Sequence, residues 1–198
     1  MINITVDGVA YPVPSSAADQ NWAAKQIAFQ QALAAALSQI QQAVTLLHTD
    51  VTPVGNGADD TEDDLMTYTL PAGTLSANGM GLRVTAWGTG ANTNEQTTAR
   101  MRIGGVLIAE MGLIASQANT WKITADILRV GATSLSASTL AANGLLPASL
   151  GTNQTYQSCN TPTVTLANAV IVKCTGQTDG TTANRVIQTG FSVELLNP

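Results

Sequence analysis

Between Trp22 and His48 the chain reads WAAKQIAFQQALAAALSQIQQAVTLLH, and its apolar positions repeat. Leu33, Ile40 and Leu47 recur every seven residues, as do Phe29, Ala36 and Ala43, with Leu37 and Val44 beside them. A broad apolar face with a period near 3.5 predicts an amphipathic helix laid against other helices. The stretch has no Gly or Pro and no charge between Lys25 and His48. Such a rod would be about 40 Å long at ~1.5 Å per residue. Its apolar stripe must be covered, either by its own domain or by copies of itself. The chain beyond His48 carries no second helical pattern, and Ala36 and Ala43 leave room for close approach. A short parallel trimeric coiled coil is therefore expected, with Phe29, Leu33, Leu37, Ile40, Val44 and Leu47 as its seam. Ser16 or Asp19 would cap the start. The helix would end by Pro53, with the only histidine, His48, near the favourable carbonyl end.

Ahead of the helix the period changes to two. Ile2, Ile4 and Val6 alternate with polar residues, and Val9, Tyr11 and Val13 do so again after Asp7-Gly8. An Asp-Gly pair between alternating runs predicts a β-hairpin. An isolated hairpin is marginal in water. This one must dock, either on the chain's own β domain or, as an arm, on a larger partner. The expected attachment surface is residues 2–14 together with the first turns of the helix. Ile4, Val6, Val9, Tyr11 and Trp22 would be its anchors.

Val54 to Asp64, VGNGADDTEDD, marks a boundary. It holds five of the thirteen acidic residues of the chain, at positions 59, 60, 62, 63 and 64. The run lacks the D-x-D-x-D-G spacing of a calcium loop, so a solvated linker is the expectation and a cation site the alternative. From Leu65 on, short alternating runs are separated by turn signals. Leu82, Val84 and Ala86 alternate with Arg83, Thr85 and Trp87; Trp121, Ile123 and Ala125 alternate with Lys122, Thr124 and Asp126. Gly104-Gly105 reads as a two-residue hairpin turn. Further strands are expected in MTYTLP before Pro71 and over Ser134–Leu140, Thr163–Leu166, Val170–Cys174 and Arg185–Leu196. Eight to ten such strands predict a β-sandwich of jelly-roll type. The predicted organisation is thus residues 1–53 arm and helix, 54–64 linker, and 65–198 sandwich.

Composition narrows the function. Charged residues are 11% of the chain, aromatics 4%, apolar residues 44%, and the net charge is -5. That is too apolar for disorder, and it suits neutral surfaces that meet other protein. Scattered basic residues offer no track for a phosphate backbone, so nucleic acid is not an expected partner. No apolar window is long enough for a membrane helix. MINITVDGVAYPVP lacks the basic and apolar regions of a secretory signal, so synthesis in a cytosol is expected. In that reducing setting Cys159 and Cys174 should be free thiols. Two Cys and one His leave no ordinary zinc site. Neither cysteine sits in a catalytic setting and no G-x-S-x-G elbow is present. Glu95, Glu110, Asp126 and Glu194 are acids any chain would offer, not an evident glycosidase pair. Gly79, Gly81, Gly88 and Gly90 read as turn or tight-packing positions. Trp87 and Trp121 read as core or interface anchors. No enzymatic activity, cofactor or metal is expected.

Two stretches carry a resemblance. VDGVAYPVPSSAADQNWAAKQIAFQQAL resembles the N-terminal segment of tailed-bacteriophage virion proteins: a hairpin, a Pro-rich corner, then D-x-x-W leading into an Ala/Gln helix. LMTYTLPAGTLSANGMGLRVTAWGTGANTNEQTTARMRIGG is similar to the start of a jelly-roll domain in phage fibre and head-decoration proteins. The resemblance implies a homotrimer on the virion surface, assembled in the host cytoplasm. Its N-terminal arms would be fixed to the major capsid protein or another virion protein, and its C-terminal domains would face outward. It implies either a capsid cement (decoration) protein that stabilises the shell or a short tail fibre that binds a host surface glycan. In the fibre case the loops Gly88–Thr98 and Leu150–Asn160 would make the contacts.

Overall fold

A computed structural model describes residues 2–6, 9–13, 24–34, 44–91, 94–113, 119–145 and 154–196. The chain divides into two compact units, Met1–Ala43 and Val44–Pro198.

In the first unit, strands β1 (Ile2–Val6) and β2 (Val9–Val13) pair antiparallel, with Ile4 opposite Tyr11 and Val6 opposite Val9. Helix α1 covers residues 24–34, the one helix among the described residues, and every residue of it is exposed. The expected rod from Trp22 to His48 is therefore corrected. In place of its last turns stands strand β3 (Val44–Asp50), hydrogen-bonded to the C-terminal strand of the chain. The physical reason is visible in VTLLHTD. Val44, Thr45 and Thr49 are β-branched, stiff at χ1, and better suited to a pleated sheet than to a helix. A partner strand that satisfies their backbone groups outweighs the seven-residue apolar repeat.

The second unit is a β-sandwich. Its seven-stranded sheet contains β11 (Gln154–Asn160), β10 (Ser134–Leu145), β9 (Asn119–Gly131), β6 (Gly81–Gly90), β13 (Val186–Leu196) and β3 in that order. The short β4 (Val54–Gly55) also pairs with β13. The other sheet runs β5 (Asp63–Leu70), β12 (Val170–Thr178), β7 (Thr97–Ile103) and β8 (Val106–Leu113). Every described pairing of named strands is antiparallel. The sandwich class stands, but the connections are not those of a jelly roll. β9, β10 and β11 follow one another as a meander within one sheet, and β7–β8 is a plain hairpin, whereas a jelly roll is wound from two Greek keys.

The alternation read from sequence is the alternation that builds the core. Leu82, Val84 and Ala86 of β6, Trp121, Ile123, Ala125 and Ile127 of β9, and Phe191 and Val193 of β13 are buried. They form one cluster with Ala99, Met101 and Ile103 of β7 and Val170, Val172 and Cys174 of β12. Gly104 and Gly105 both have positive φ, 56° and 82°, as the tight turn between β7 and β8 requires. Thr163–Leu166, expected as a strand, makes an isolated bridge from Thr163 to Ser134 and backbone bonds to Thr133, Ala132, Gly73 and Asn168. Val170–Cys174 and Arg185–Leu196 lie within or beside β12 and β13.

Candidate functional site

The residues expected to act in attachment and trimerisation are divided between the two units, and three of them lie outside the described residues. Phe29 and Leu33 lie on α1 and are 67% and 48% exposed, with Ile27 beside them at 51%. Leu37, Ile40 and Trp22 lie outside the described residues. Val44 and Leu47 are in β3, and Leu47 is half-buried against the sandwich core. The continuous seam of a coiled coil is thus broken at Val44, because the last two of its six positions belong to a sheet. Ile4, Val6, Val9 and Tyr11 are placed by register in the β1–β2 hairpin.

His48 is displaced for the same reason. Instead of ending a helix it sits in β3, its ring stacked on Tyr68 at 5.1 Å and set edge-on to Phe191 at 6.0 Å. Its Nε2 is buried and meets no hydrogen-bond partner among the described residues.

The acidic run leads into β5, and two of its five acids, Glu62 and Asp64, form ion pairs with the sandwich. Arg102 on β7 grips Glu62 through two bonds, Nε to Oε1 at 2.6 Å and Nη2 to Oε2 at 2.7 Å. Thr175 on β12 donates to the same Oε1 at 2.6 Å. Asp63 accepts from the Gly57 amide at 2.7 Å, and Lys173 reaches Asp64 at 2.5 Å. Asp59 takes the Thr61 amide at 2.9 Å, a local turn. Sequence reasoning saw the acids but not their partners, because Arg100, Arg102 and Lys173 lie far along the chain. Among the described residues no group of His, Cys, Asp or Glu has the arrangement to hold a metal ion.

The hydrogen bonds from Arg102, assisted by Thr175 and the Arg100 and Arg102 charges, outweigh desolvation and lower the Glu62 pKa to about 2. The folded value lies below the ordinary 4.5, so this group stabilises the fold above about pH 4.5. That stabilisation is lost as pH falls towards about 2. Glu62→Gln should cost about 1–2 kcal/mol at neutral pH. It should also flatten the fall of the urea midpoint between those two pH values. An unchanged acid profile in the variant would show that Glu62 does not carry it.

The other acids singled out are dispersed. Glu95 pairs with Arg185 at 3.1 Å and accepts from Thr178. Glu110 pairs with Arg100 at 2.6 Å. Asp126 pairs with Arg83 at 2.7 Å, and the register puts Glu194 on the far side of that arginine. Cys159 is exposed on β11, and Cys174 is buried in β12; both are free. Burial pushes the Cys174 thiol far up, which leaves it inert as a nucleophile.

Trp121 is buried in the core and Trp87 is half-buried over Gly190. Of the loops expected to meet a glycan, positions 88–90 belong to β6, 97–98 to β7 and 154–160 to β11. Two open clefts among the described residues are large enough to consider. A polar one of about 290 Å³ is lined by Asp60, Gln96, Thr98, Gln177, Thr178 and Asp179. The other, about 520 Å³, lies by the Gly104-Gly105 turn, Val164, Ile171 and Lys173.

No family model matches the chain, and no curated protein does. Among solved structures it is similar to the CBM2 module of the evolved Dit of Lactobacillus casei BL23 phage J-1. The two share 13% identity over 72% of this chain and 75% of that one, with a TM-score of 0.34. It is also similar to winged bean acidic lectin complexed with methyl-α-D-galactose, at 8% identity over 78% and 93% of the two chains, with a TM-score of 0.30. Neither likeness is close enough to carry residues or a ligand across. No described helix is long and apolar enough to cross a membrane.

Proposed function

We propose that the chain is a non-enzymatic structural protein of a tailed-phage virion, a decoration protein fixed to a larger virion protein by its N-terminal unit. The observation that carries the reading is the exposed apolar helix: Ile27, Phe29 and Leu33 stay about half exposed or more in a unit separate from the sandwich. Exposed apolar groups on a short helix are unstable company for water and mark a surface made for protein. The resemblance of residues 6–33 to virion attachment segments supports the same partner class. The sandwich, with its closed core, would face outward.

Removing residues 1–43 should abolish binding to shells while the rest stays soluble. Phe29→Ser with Leu33→Ser should weaken binding at least tenfold in a sedimentation assay. If the shortened chain coats shells as well as the full one, attachment lies in the sandwich and the reading is wrong. A second reading, a short tail fibre that grips a host surface glycan, is favoured by the cleft at Asp60, Gln96 and Asp179. Its carboxylates and amides have hydroxyl-binding chemistry. Glycan-array binding lost on Asp179→Ala would select it.

A further inference from the structure

The polar cleft of about 290 Å³ at Asp60, Gln96 and Asp179 has a frame and a lining, formed by different side chains. Gln177 and Thr178 belong to the frame. Gln177 accepts from Arg100 Nη1 at 2.6 Å and donates through Nε2 to the Asp60 carbonyl at 2.8 Å. Thr178 donates to Glu95 at 3.0 Å and accepts the Gly180 amide at 3.3 Å. A reciprocal pair ties two segments together: the Gln96 amide donates to Asp179 Oδ1 at 2.8 Å, and the Asp179 amide donates to the Gln96 carbonyl at 3.0 Å. Thr98 on β7 faces Gln177 on β12, so the frame stands on paired strands.

Four lining groups are left over. The Asp60 carboxylate, Asp179 Oδ2, the Gln96 carboxamide and the Thr98 hydroxyl meet no hydrogen-bond partner among the described residues. Neither aspartate is in an ion pair there. The arginines that touch the frame are already engaged, Arg100 with Glu110 and Glu62, and Arg185 with Glu95. Carboxylates only accept hydrogen bonds, and Thr98 and Gln96 supply the few donors. The lining is therefore negative and rich in acceptors. A ligand that fits it brings donors and positive charge, while an anionic sugar would meet two carboxylates with no cation between.

We propose that this cleft selects an amino sugar, a hexosamine whose amine is unacetylated and protonated. Asp60 and Asp179 hold the ammonium, and Gln96 and Thr98 meet the ring hydroxyls. The inference rests on the glycan-binding reading of the same cleft and names the class of sugar it takes. A volume at the lower end of ligand sites, which run from about 300 to 1,000 Å³, suits a short sugar unit and not a long chain. Both aspartates are exposed, so added salt should weaken the attraction.

Titration calorimetry of the full chain, at mildly acid pH and low salt, tests this with three tetrasaccharides: β-1,4-linked glucosamine, its N-acetylated counterpart and oligosialic acid. The glucosamine tetramer should bind roughly tenfold more tightly than the N-acetylated one, the factor that two exposed charge pairs supply together. Oligosialic acid should bind weakest. Asp60→Asn with Asp179→Asn should erase the preference at an unchanged melting temperature, since an amide oxygen at 179 still accepts the Gln96 amide. A lysine tetrapeptide, which has the charge without the rings, should bind more weakly than the glucosamine tetramer. If it binds as tightly, the cleft reads charge alone and the inference falls. Equal or tighter binding of the N-acetylated or sialic tetramer overturns the inference but leaves a glycan site. A preference that survives the double substitution also overturns it, because the amine is then met elsewhere. If no sugar binds, the glycan reading itself fails.

Discussion

Trp121→Ala should lower the stability of the sandwich by about 3–5 kcal/mol, the range for deleting a large aromatic from a close-packed core. Trp121 is 2% exposed and lies on β9 directly opposite Gly88 of β6. Its Nε1 donates to the Thr89 carbonyl at 3.3 Å. The indole fills the space where a side chain at 88 would stand: a Cβ built on Gly88 comes 2.8 Å from Trp121 Cζ2 and closer still to the Ile187 carbonyl oxygen. Backbone lines one side of that space, so the walls cannot collapse inward to fill the void. For a unit of this size the melting temperature should fall by roughly 10 °C or more. Gly88→Ala should also destabilise, because the clash is with main chain that cannot rotate away. Chemical denaturation of both variants checks this, and a loss under about 1 kcal/mol for Trp121→Ala would mean the site relaxes freely.

The second large effect is expected at Asn56, a polar residue only 2% exposed. Its Oδ1 accepts the amides of Arg185 and Val186, both at 2.8 Å, and its Nδ2 donates to the Gly57 carbonyl at 2.8 Å. Its main chain exchanges bonds with Val186 and Asn184. One side chain thus anchors the start of β13 to the segment just after β4. Asn56→Ala would leave two buried N–H groups without an acceptor, at about 1–3 kcal/mol each before relaxation. A total near 2–4 kcal/mol is expected, measured as a shift in the urea midpoint with an unchanged slope. A slope change instead would report local opening of the β4 region, and a midpoint that stays put would show that water replaces the amide without cost.

Both sites explain what could be read in advance. Trp121 was legible as a core residue because it heads an alternating run, and alternation in a strand is a local property of the pleat. Gly88 was legible as a tight-packing position but not by its neighbour, since Ile187 is far along the chain. Asn56 sat unremarked in a stretch that reads as flexible. Nothing in V-G-N-G announces that two amides from the far end of the chain will need that carbonyl. Glu62 shows the same limit: its composition is visible, its partners are not.

The helix was misjudged from the other direction. The seven-residue repeat of Leu33, Ile40 and Leu47 is real, but a repeat states only which residues would share a face if the backbone were helical. Whether residues 44–50 take that backbone depends on what else can satisfy their N–H and C=O groups. β13, folding back from the C-terminal end with Leu196 against Val44, offers a ladder interrupted only at Leu47. Local pattern cannot weigh a partner it does not contain.

Local pattern was enough for the β-sandwich class, the hairpin at the N-terminus, the Gly104-Gly105 turn and most of the inward-facing residues. Each comes from a period of two or from a φ that only glycine adopts freely. That Val44–Asp50 is a strand, and which arginines claim Glu62, emerged only in the folded chain. These depend on pairings between residues far apart in sequence, whose free energy is set by burial and by backbone groups finding partners in space.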